Sequence, residues 1–189
     1  YGNRSAATVL QYVEKAVTFL LPFDLDALVI ACNTASSVCM GKVEESLGIP
    51  VYNVIDPLVS DLSPKAKNIL LIATRSTISS ETYQHKIASL VNNITLKAMA
   101  TPLLVPLVEE GLLDGPLVDQ ALNHYFSELD MKPDSIILGC THYPFLKTAI
   151  STYFGSAKIL TSGPPVANKL KNEFDIAGQT GLLKIFLTD

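Results

Sequence analysis

Residues 27–34 read Ala-Leu-Val-Ile-Ala-Cys-Asn-Thr, and residues 135–142 read Ser-Ile-Ile-Leu-Gly-Cys-Thr-His. Each segment is an apolar run followed by a small residue, a cysteine and two polar residues. A short, continuous apolar run is typical of a strand that is buried on both faces of a parallel sheet. Because small polar residues favour helix N-termini, each segment predicts a strand, a thiol at its carboxyl end and a helix beyond it.

Helices and strands alternate in the same way along the rest of the chain. Apolar residues at helical spacing predict helices at 4–21, 38–47, 116–129 and 145–154, and one after the Thr/Ser cluster at 74–80 as far as about 91. Buried-type runs predict strands at 26–32, 51–55, 68–73, 95–100, 135–140 and 182–188. We predict an α/β fold of two similar domains with mostly parallel sheets, related by an approximate two-fold axis. The first domain is expected at 1–60 and 168–189, and the second at 61–167.

The composition argues against several classes of function. The 189 residues include 14 basic and 18 acidic side chains, with a net charge of −4 and no Lys/Arg-rich stretch, which argues against nucleic-acid binding. The apolar runs are far shorter than the roughly 20 residues of a membrane-spanning helix, and no signal peptide is visible. Three cysteines without the spacing of metal ligands predict free thiols in a reducing compartment, the cytoplasm, and no metal site.

Cys32 and Cys140, the cysteines of the repeated segment, are the strongest candidates for chemistry. Ligands of open α/β sheets bind beyond the carboxyl ends of the strands, where both thiols are expected. A helix N-terminus at that edge attracts a carboxylate and lowers the pKa of a thiol. A lone buried cysteine is more often a small hydrophobic residue of the core. That is our interpretation of Cys39, which no polar cluster follows.

Two further residues are candidates to assist a thiol. His142 follows Cys140 by two positions, which favours an acid/base role over a structural one. Glu109 follows an apolar run, which suggests that its carboxylate points into the fold. This pattern is weaker evidence than the position of His142. A Cys–His hydrolase is a rival hypothesis, but it leaves the second cysteine segment without a function. Because no glycine-rich phosphate loop is present, two thiols in one cleft favour removing a proton from one face of a carbon and returning one to the other.

The cysteine segments resemble the two cysteine motifs of bacterial glutamate racemases. The first is Val-Ile-Ala-Cys-Asn-Thr-Ala-Ser at 29–36, and the second is Leu-Gly-Cys-Thr-His-Tyr-Pro at 138–144. Further similarity lies in Tyr-Gly-Asn-Arg-Ser at 1–5, Ala-Thr-Arg-Ser-Thr at 73–77 and Val-Pro-Leu-Val-Glu-Glu-Gly at 105–111. The resemblance implies an active site in the cleft between the two domains. It also implies cofactor-independent conversion of L-glutamate to D-glutamate for peptidoglycan synthesis.

The resemblance also implies roles for individual residues. Cys32 and Cys140 would be the two acid/base thiols, with His142 and Glu109 as polar partners near the second thiol. The residues that would hold the carboxylates and the ammonium group of the substrate are Tyr1, Gly2, Asn33, Thr34, Thr74, Thr77 and Thr141. Glutamate would be the small-molecule substrate, and the chain would form a homodimer. No cofactor, metal, nucleic acid or membrane would be involved.

Departures from the family pattern leave alternatives open. Family chains begin with a strand that ends in Asp-Ser-Gly and finish with a further helix, and neither segment is present in this sequence. We therefore expect the first domain to lack its N-terminal strand. The alternatives are a racemase of the same superfamily that acts on aspartate or another amino acid, and an inactive fragment.

Overall fold

A computed structural model describes residues 1–90, 94–174 and 181–187 of the chain. Its strands are β1 (Leu28–Ile30), β2 (Val51–Asn53), β3 (Asn68–Ala73), β4 (Thr95–Ala100), β5 (Ser135–Gly139) and β6 (Lys158–Leu160). Its helices are α1 (Ala6–Leu20), α2 (Asn33–Ser46), α3 (Asp56–Ser60), α4 (Arg75–Ser79), α5 (Thr82–Leu90), α6 (Leu104–Glu109), α7 (Pro116–Phe126), α8 (Lys147–Phe154) and α9 (Gly163–Glu173). A 3₁₀ turn (Tyr143–Leu146) precedes α8.

The described strands form two separate parallel sheets. One sheet pairs β1 with β2, and the other has the strand order β4-β3-β5-β6. The two strands that lead into Cys32 and Cys140 therefore lie in different sheets. The α/β class and the two parallel sheets predicted from the sequence are confirmed.

The larger sheet is buried on both faces around β3. Residues 69–73 have no exposed surface. One face packs against α6, α7 and α8, and the other packs against α3 and α5. Close packing explains why the residue before Cys140 is small. A Cβ atom at Gly139 would lie only 2.9 Å from Cβ of Ala73 on β3. The approach of β5 to β3 thus requires glycine at the strand end that carries the thiol.

The smaller sheet is covered by α1 and α2. Ser5 caps α1 by accepting a hydrogen bond from the backbone N–H of Thr8, and buried side chains of α1 and α2 pack together with β1. Cys39 lies inside this cluster and is 1% exposed. The interpretation of Cys39 as a core residue is confirmed, because its thiol has no access to a site.

Two local expectations are wrong. The polar cluster at 33–37 was expected to precede a helix at 38–47, but α2 begins at Asn33, because the buried polar side chains there are bonded within the fold. The predicted strand at 182–188 is not formed in residues 182–187, which pair with no described strand. Most apolar side chains of that segment are exposed, and Phe186 contacts the rings of Phe19 and Phe23 instead.

Other differences concern the ends and joins of elements. The helix predicted to begin at 145 begins later, because a 3₁₀ turn occupies Tyr143–Leu146. The predicted end of α5, at residue 91, lies outside the described residues. Five elements were not predicted: α3, α4, α6, β6 and α9. The domain boundaries at 60 and 168 stay predictions. Within the described ranges, no helix has the length and apolar composition that spanning a membrane requires.

Candidate active site

Cys32 occupies the N-cap position of α2, immediately after β1. Its backbone is extended, with φ −80° and ψ 123°, and its carbonyl oxygen accepts the N–H of Ser36 at 2.8 Å. The thiol is partly buried. The N-terminus of a 14-residue helix presents unpaired N–H groups and a partial positive charge. A helix N-terminus of this kind is a binding place for an anionic group next to Cys32.

Cys140 follows β5 and is 7% exposed. Burial raises the pKa of this thiol, while the backbone N–H groups of His142 and Tyr143 act against that rise. The charge of Cys32 also raises the pKa of Cys140. The segments that carry the two thiols approach each other in the fold. Thr34, two residues after Cys32, is hydrogen-bonded to Thr74, which follows Ala73, the register partner of Gly139 beside Cys140. A site shared by the two thiols stays a prediction.

His142 connects Cys140 to Glu109. Nδ1 of His142 lies 3.8 Å from Sγ of Cys140, and Nε2 lies 3.3 Å from Oε1 of Glu109 at the end of α6. A carboxylate only accepts hydrogen bonds, so Nε2 carries the hydrogen in this contact. Nδ1 is then free to take a proton from the thiol, which produces a thiolate beside an imidazolium. This geometry supports the predicted partnership of these three residues.

Three threonine hydroxyls form a closed triangle between the two layers. Oγ1 of Thr34 lies 2.9 Å from Oγ1 of Thr74 and 3.1 Å from Oγ1 of Thr77, and the last two atoms are 3.0 Å apart. Thr34 belongs to the first turn of α2, and the others cap and open α4. Thr77 has no exposed surface. The triangle ties the helix that carries Cys32 to the larger sheet, and direct contact of Thr77 with a ligand stays a prediction.

Tyr1 and Gly2 lie against the same part of α4. The carbonyl oxygen of Gly2 accepts hydrogen bonds from the backbone N–H of Ser76 at 3.1 Å and from its hydroxyl at 2.9 Å. A Cβ atom at Gly2 would lie 2.5 Å from Thr74. Glycine is therefore required where the first residues approach the hydroxyl triangle. Burial raises the pKa of the Tyr1 phenol, and the charge of Cys32 contributes, so Tyr1 lies near the first thiol.

An open cavity of about 610 Å³ lies beside these residues. Its walls include Tyr1, Gly2, Thr74 and Glu109, and neither thiol is part of them. A volume of this size admits a small molecule. Thr141 is exposed and lies at the opposite end of the site, with its hydroxyl 3.4 Å from Nδ1 of His142. Among the described residues, no group of three or more His, Cys, Asp and Glu side chains is placed to hold a metal ion.

Sequence reasoning missed two residues that shape the site. Ser76 fixes the backbone of the first residues by donating to the carbonyl oxygens of Gly2 and Arg4. Tyr83 of α5 donates a hydrogen bond to Oδ1 of Asn33 at 2.6 Å, and both side chains are buried. An aromatic residue that bears a hydroxyl at a core position of a helix is the signal that could have pointed to Tyr83, since a buried phenol needs a partner.

Comparison with known proteins gives consistent matches. Residues 2–166 match the model of a family described as Asp/Glu/Hydantoin racemase. The glutamate racemase of Aquifex pyrophilus is 37% identical over 191 residues, which cover 100% of this chain and 74% of that protein. The crystal structure of glutamate racemase from Campylobacter jejuni subsp. jejuni has a TM-score of 0.89 and 38% identity, covering 96% of this chain and 74% of that chain.

A second solved structure contains a ligand. Glutamate racemase from Francisella tularensis subsp. tularensis, crystallised in complex with D-glutamate, has a TM-score of 0.85 and 32% identity. The alignment covers 92% of this chain and 66% of that chain. This chain is thus similar over most of its length to proteins that are each longer than it is.

Proposed function

The chain belongs to the Asp/Glu/Hydantoin racemase family, and on this premise we propose that it interconverts L-glutamate and D-glutamate with two cysteine thiols as acid and base. One observation carries the proposal. Cys32 and Cys140 follow strands of two different sheets, and the hydrogen bond between Thr34 and Thr74 joins the carboxyl ends of those sheets. Two groups on opposite sides of one carbon can remove a proton from one face and return a proton to the other, which inverts that carbon.

The proposed reaction consists of two proton transfers. One cysteine, as the thiolate, removes the proton from Cα of bound glutamate and becomes a thiol, leaving the electron pair on the carbon. The other cysteine, as the thiol, then donates its proton to the opposite face and becomes a thiolate. Each turnover leaves the two cysteines with exchanged protonation states, which is the starting state of the reverse reaction. Proton exchange with solvent restores the first state for another turnover in the same direction. With substrate bound, the two sulfur atoms are expected to lie on the order of 7–8 Å apart, since each approaches Cα to about 3.5 Å.

His142 and Glu109 are proposed to assist the second thiol. Cys140 is more deeply buried than Cys32, and burial opposes formation of its thiolate. An imidazole at 3.8 Å that accepts the thiol proton, held by a carboxylate at 3.3 Å, offsets that cost. Cys32 has no such pair beside it among the described contacts and lies instead at the N-terminus of α2.

The remaining proposed roles concern the substrate. Tyr1, Gly2, Asn33 and Thr34 lie near the first thiol, and the hydroxyl triangle connects Thr34 to Thr74 and Thr77. We propose that these residues, with Thr141 near the second thiol, hold the two carboxylates and the ammonium group. Both thiols must stay reduced to exchange protons, which fits the reducing conditions of the cytoplasm. The product, D-glutamate, would serve peptidoglycan synthesis.

The test is racemisation of each amino acid in turn. Purified protein is incubated in D₂O with L-glutamate, D-glutamate, L-aspartate or D-aspartate, and both optical rotation and deuterium at Cα are followed. We expect both enantiomers of glutamate to racemise and to gain deuterium, with aspartate converted at least about a hundredfold more slowly, because a shorter side chain leaves one binding group of the site unpaired. Faster turnover of aspartate would contradict the choice of substrate, and exchange with none of the four would contradict the activity.

A further inference from the structure

Tyr83 bonds to the residue that directly follows the first thiol. It lies in α5, has no exposed surface, and donates its hydroxyl hydrogen to Oδ1 of Asn33 at 2.6 Å. Asn33 is the first residue of α2, follows Cys32 and is 3% exposed. The two partners belong to different layers, because α5 packs on the larger sheet and α2 packs on the smaller one. A side chain from one layer thus fixes a side chain beside the thiol of the other.

This hydrogen bond determines which end of the Asn33 carboxamide remains available to a ligand. A carboxamide has an oxygen that accepts and an NH₂ group that donates. Tyr83 occupies the oxygen, so the NH₂ group is the part left for a ligand. Among the described residues, Nδ2 of Asn33 has no hydrogen-bond partner and is not sealed from solvent. The donor end of the amide therefore keeps a small contact with solvent, although Asn33 is only 3% exposed.

The tyrosine can act only as a neutral donor in this position. Burial raises the pKa of Tyr83 well above its ordinary value, and the neighbouring Asp56 carboxylate adds to the rise. The Ser162 hydroxyl acts in the opposite direction but offsets only part of it. The phenol consequently keeps its proton at every pH at which a thiol enzyme works, and the orientation of Asn33 does not change with pH.

We propose that Tyr83 is a positioning residue that turns Asn33 into a donor for a carboxylate oxygen of the substrate and prevents it from accepting the ammonium group. The proposal rests on the proposed function, since it names the group of glutamate that Asn33 recognises. Without the tyrosine hydroxyl, the carboxamide would be free to rotate. Its oxygen would then face the substrate part of the time and repel the carboxylate. The expected consequence is weaker binding of both enantiomers with little effect on the proton-transfer steps.

The test is a double-mutant cycle of Tyr83→Phe and Asn33→Ala, measured as KM and kcat for both enantiomers of glutamate. Tyr83→Phe keeps the buried ring and removes only the hydroxyl. We expect KM to rise about tenfold, the size of one lost hydrogen bond to a charged group, and kcat to change less than about threefold, as uniform binding requires. In the Asn33→Ala background, Tyr83→Phe should change KM by less than about twofold, because the residue through which it acts is gone.

The control is Tyr52→Phe, which removes a phenol hydroxyl that bonds to Glu173. This variant should keep the parent KM and kcat, even where its melting temperature falls as far as that of Tyr83→Phe. A KM for Tyr83→Phe within twofold of the parent, or equal effects of Tyr83→Phe with and without Asn33, would overturn the proposal. The unsubstituted protein is measured in the same cycle. If it does not racemise glutamate, the proposed function itself is wrong, and this result is distinct from the effect of Tyr83→Phe.

A measurement on the unmodified protein covers the case in which Tyr83→Phe does not fold. The side-chain amide signals of Asn33 are assigned by NMR through their loss in Asn33→Ala, and D-glutamate is then added. A downfield shift of at least one of the two amide protons is expected, as for an N–H that donates to a carboxylate. Unchanged amide protons at saturating D-glutamate would overturn the proposal.

Discussion

The regions around Cys32 and Cys140 begin from the same sequence pattern and differ in structure. Cys32 lies at the N-terminus of the 14-residue helix α2 and is partly buried. Cys140 is 7% exposed and opens into a 3₁₀ turn, with His142 and Glu109 arranged behind it. The first thiol lies at a helix N-terminus, and the second lies beside an imidazole and two backbone N–H groups. The same sequence pattern thus places its two thiols in different surroundings.

This difference has a consequence for how the two directions of the reaction can vary. The enantiomers of glutamate have equal free energies, so any variant must change kcat/KM equally in both directions. Unequal environments therefore become visible in isotope effects and isotope exchange, which report on each thiol by itself. Isotope measurements on variants of each region therefore test whether the two thiols differ in how they transfer a proton.

The largest effect is expected from removing either thiol. Cys32→Ser and Cys140→Ser should each lower kcat/KM for racemisation by at least about a thousandfold, since a hydroxyl is a poor base at neutral pH and acid/base catalysis supplies factors of about 10²–10⁴. Racemisation is followed by optical rotation from both enantiomers. A variant of one cysteine that keeps a tenth of the parent rate would show that the two regions are not equal partners.

The next effect concerns the group that only the second thiol has. His142→Asn should lower kcat/KM by about tenfold to a hundredfold. It should also enlarge the primary isotope effect with α-deuterated glutamate for the enantiomer from which Cys140 removes the proton. Glu109→Gln should have the same direction and a smaller size, because the contact between the two side chains is partly open to solvent, with side-chain exposures of 35% for His142 and 60% for Glu109. Equal isotope effects for both enantiomers would contradict the assignment of His142 to one thiol.

A third effect is expected on stability in alkaline solution. Burial raises the pKa of Cys140 in the folded state above the unfolded value of about 8.5. At pH values between these two pKa values, the folded chain binds more protons than the unfolded chain. The contribution of Cys140 to the free energy of unfolding is therefore fully present below about pH 8.5 and is lost as pH rises through the folded pKa. Cys140→Ser should flatten this slope by less than about 1.4 kcal/mol per pH unit, measured by urea unfolding. An unchanged slope would show that Cys140 titrates as an exposed thiol does.

The smallest effect is expected at the third cysteine, which lies in the core of the smaller layer. Cys39→Ala leaves a small void among α1 and α2 and should cost about 1–2 kcal/mol of unfolding free energy. It should leave kcat/KM and both isotope effects unchanged. Loss of activity out of proportion to loss of stability would mean that the smaller layer positions Cys32 more tightly than its contacts indicate.

The sequence predicted the central strand of the larger sheet to the residue, and burial explains why. β3 is a continuous apolar run that is buried along nearly its whole length, so its ends are visible in the sequence. β4 also has the predicted bounds, although its side chains are exposed or half-buried. α2 was placed five residues too late, because Asn33 and Thr34 look like capping residues in sequence. Their polar groups are in fact satisfied by Tyr83 and Thr74, which lie far along the chain.

The candidate site shows the same limit. The thiols and His142 follow from local pattern, since a strand, a cysteine and a polar pair are adjacent in sequence. Contacts such as the triangle of Thr34, Thr74 and Thr77 join segments about 40 positions apart, and no local pattern reports them. The segment at 182–187 has the composition of a strand but no strand beside it, so its apolar residues could not decide its structure.

The central claim is that Cys32 and Cys140 each serve one face of the same carbon. It is tested most directly by incubating Cys32→Ser and Cys140→Ser with each enantiomer of glutamate in D₂O and measuring deuterium at Cα by mass spectrometry. The remaining thiol should exchange its proton with solvent and return deuterium to the face it took the proton from. Each variant should therefore label one enantiomer without inverting it, and the two variants should label opposite enantiomers. Labelling of the same enantiomer by both variants, or normal racemisation by Cys32→Ser, would contradict the two-thiol account.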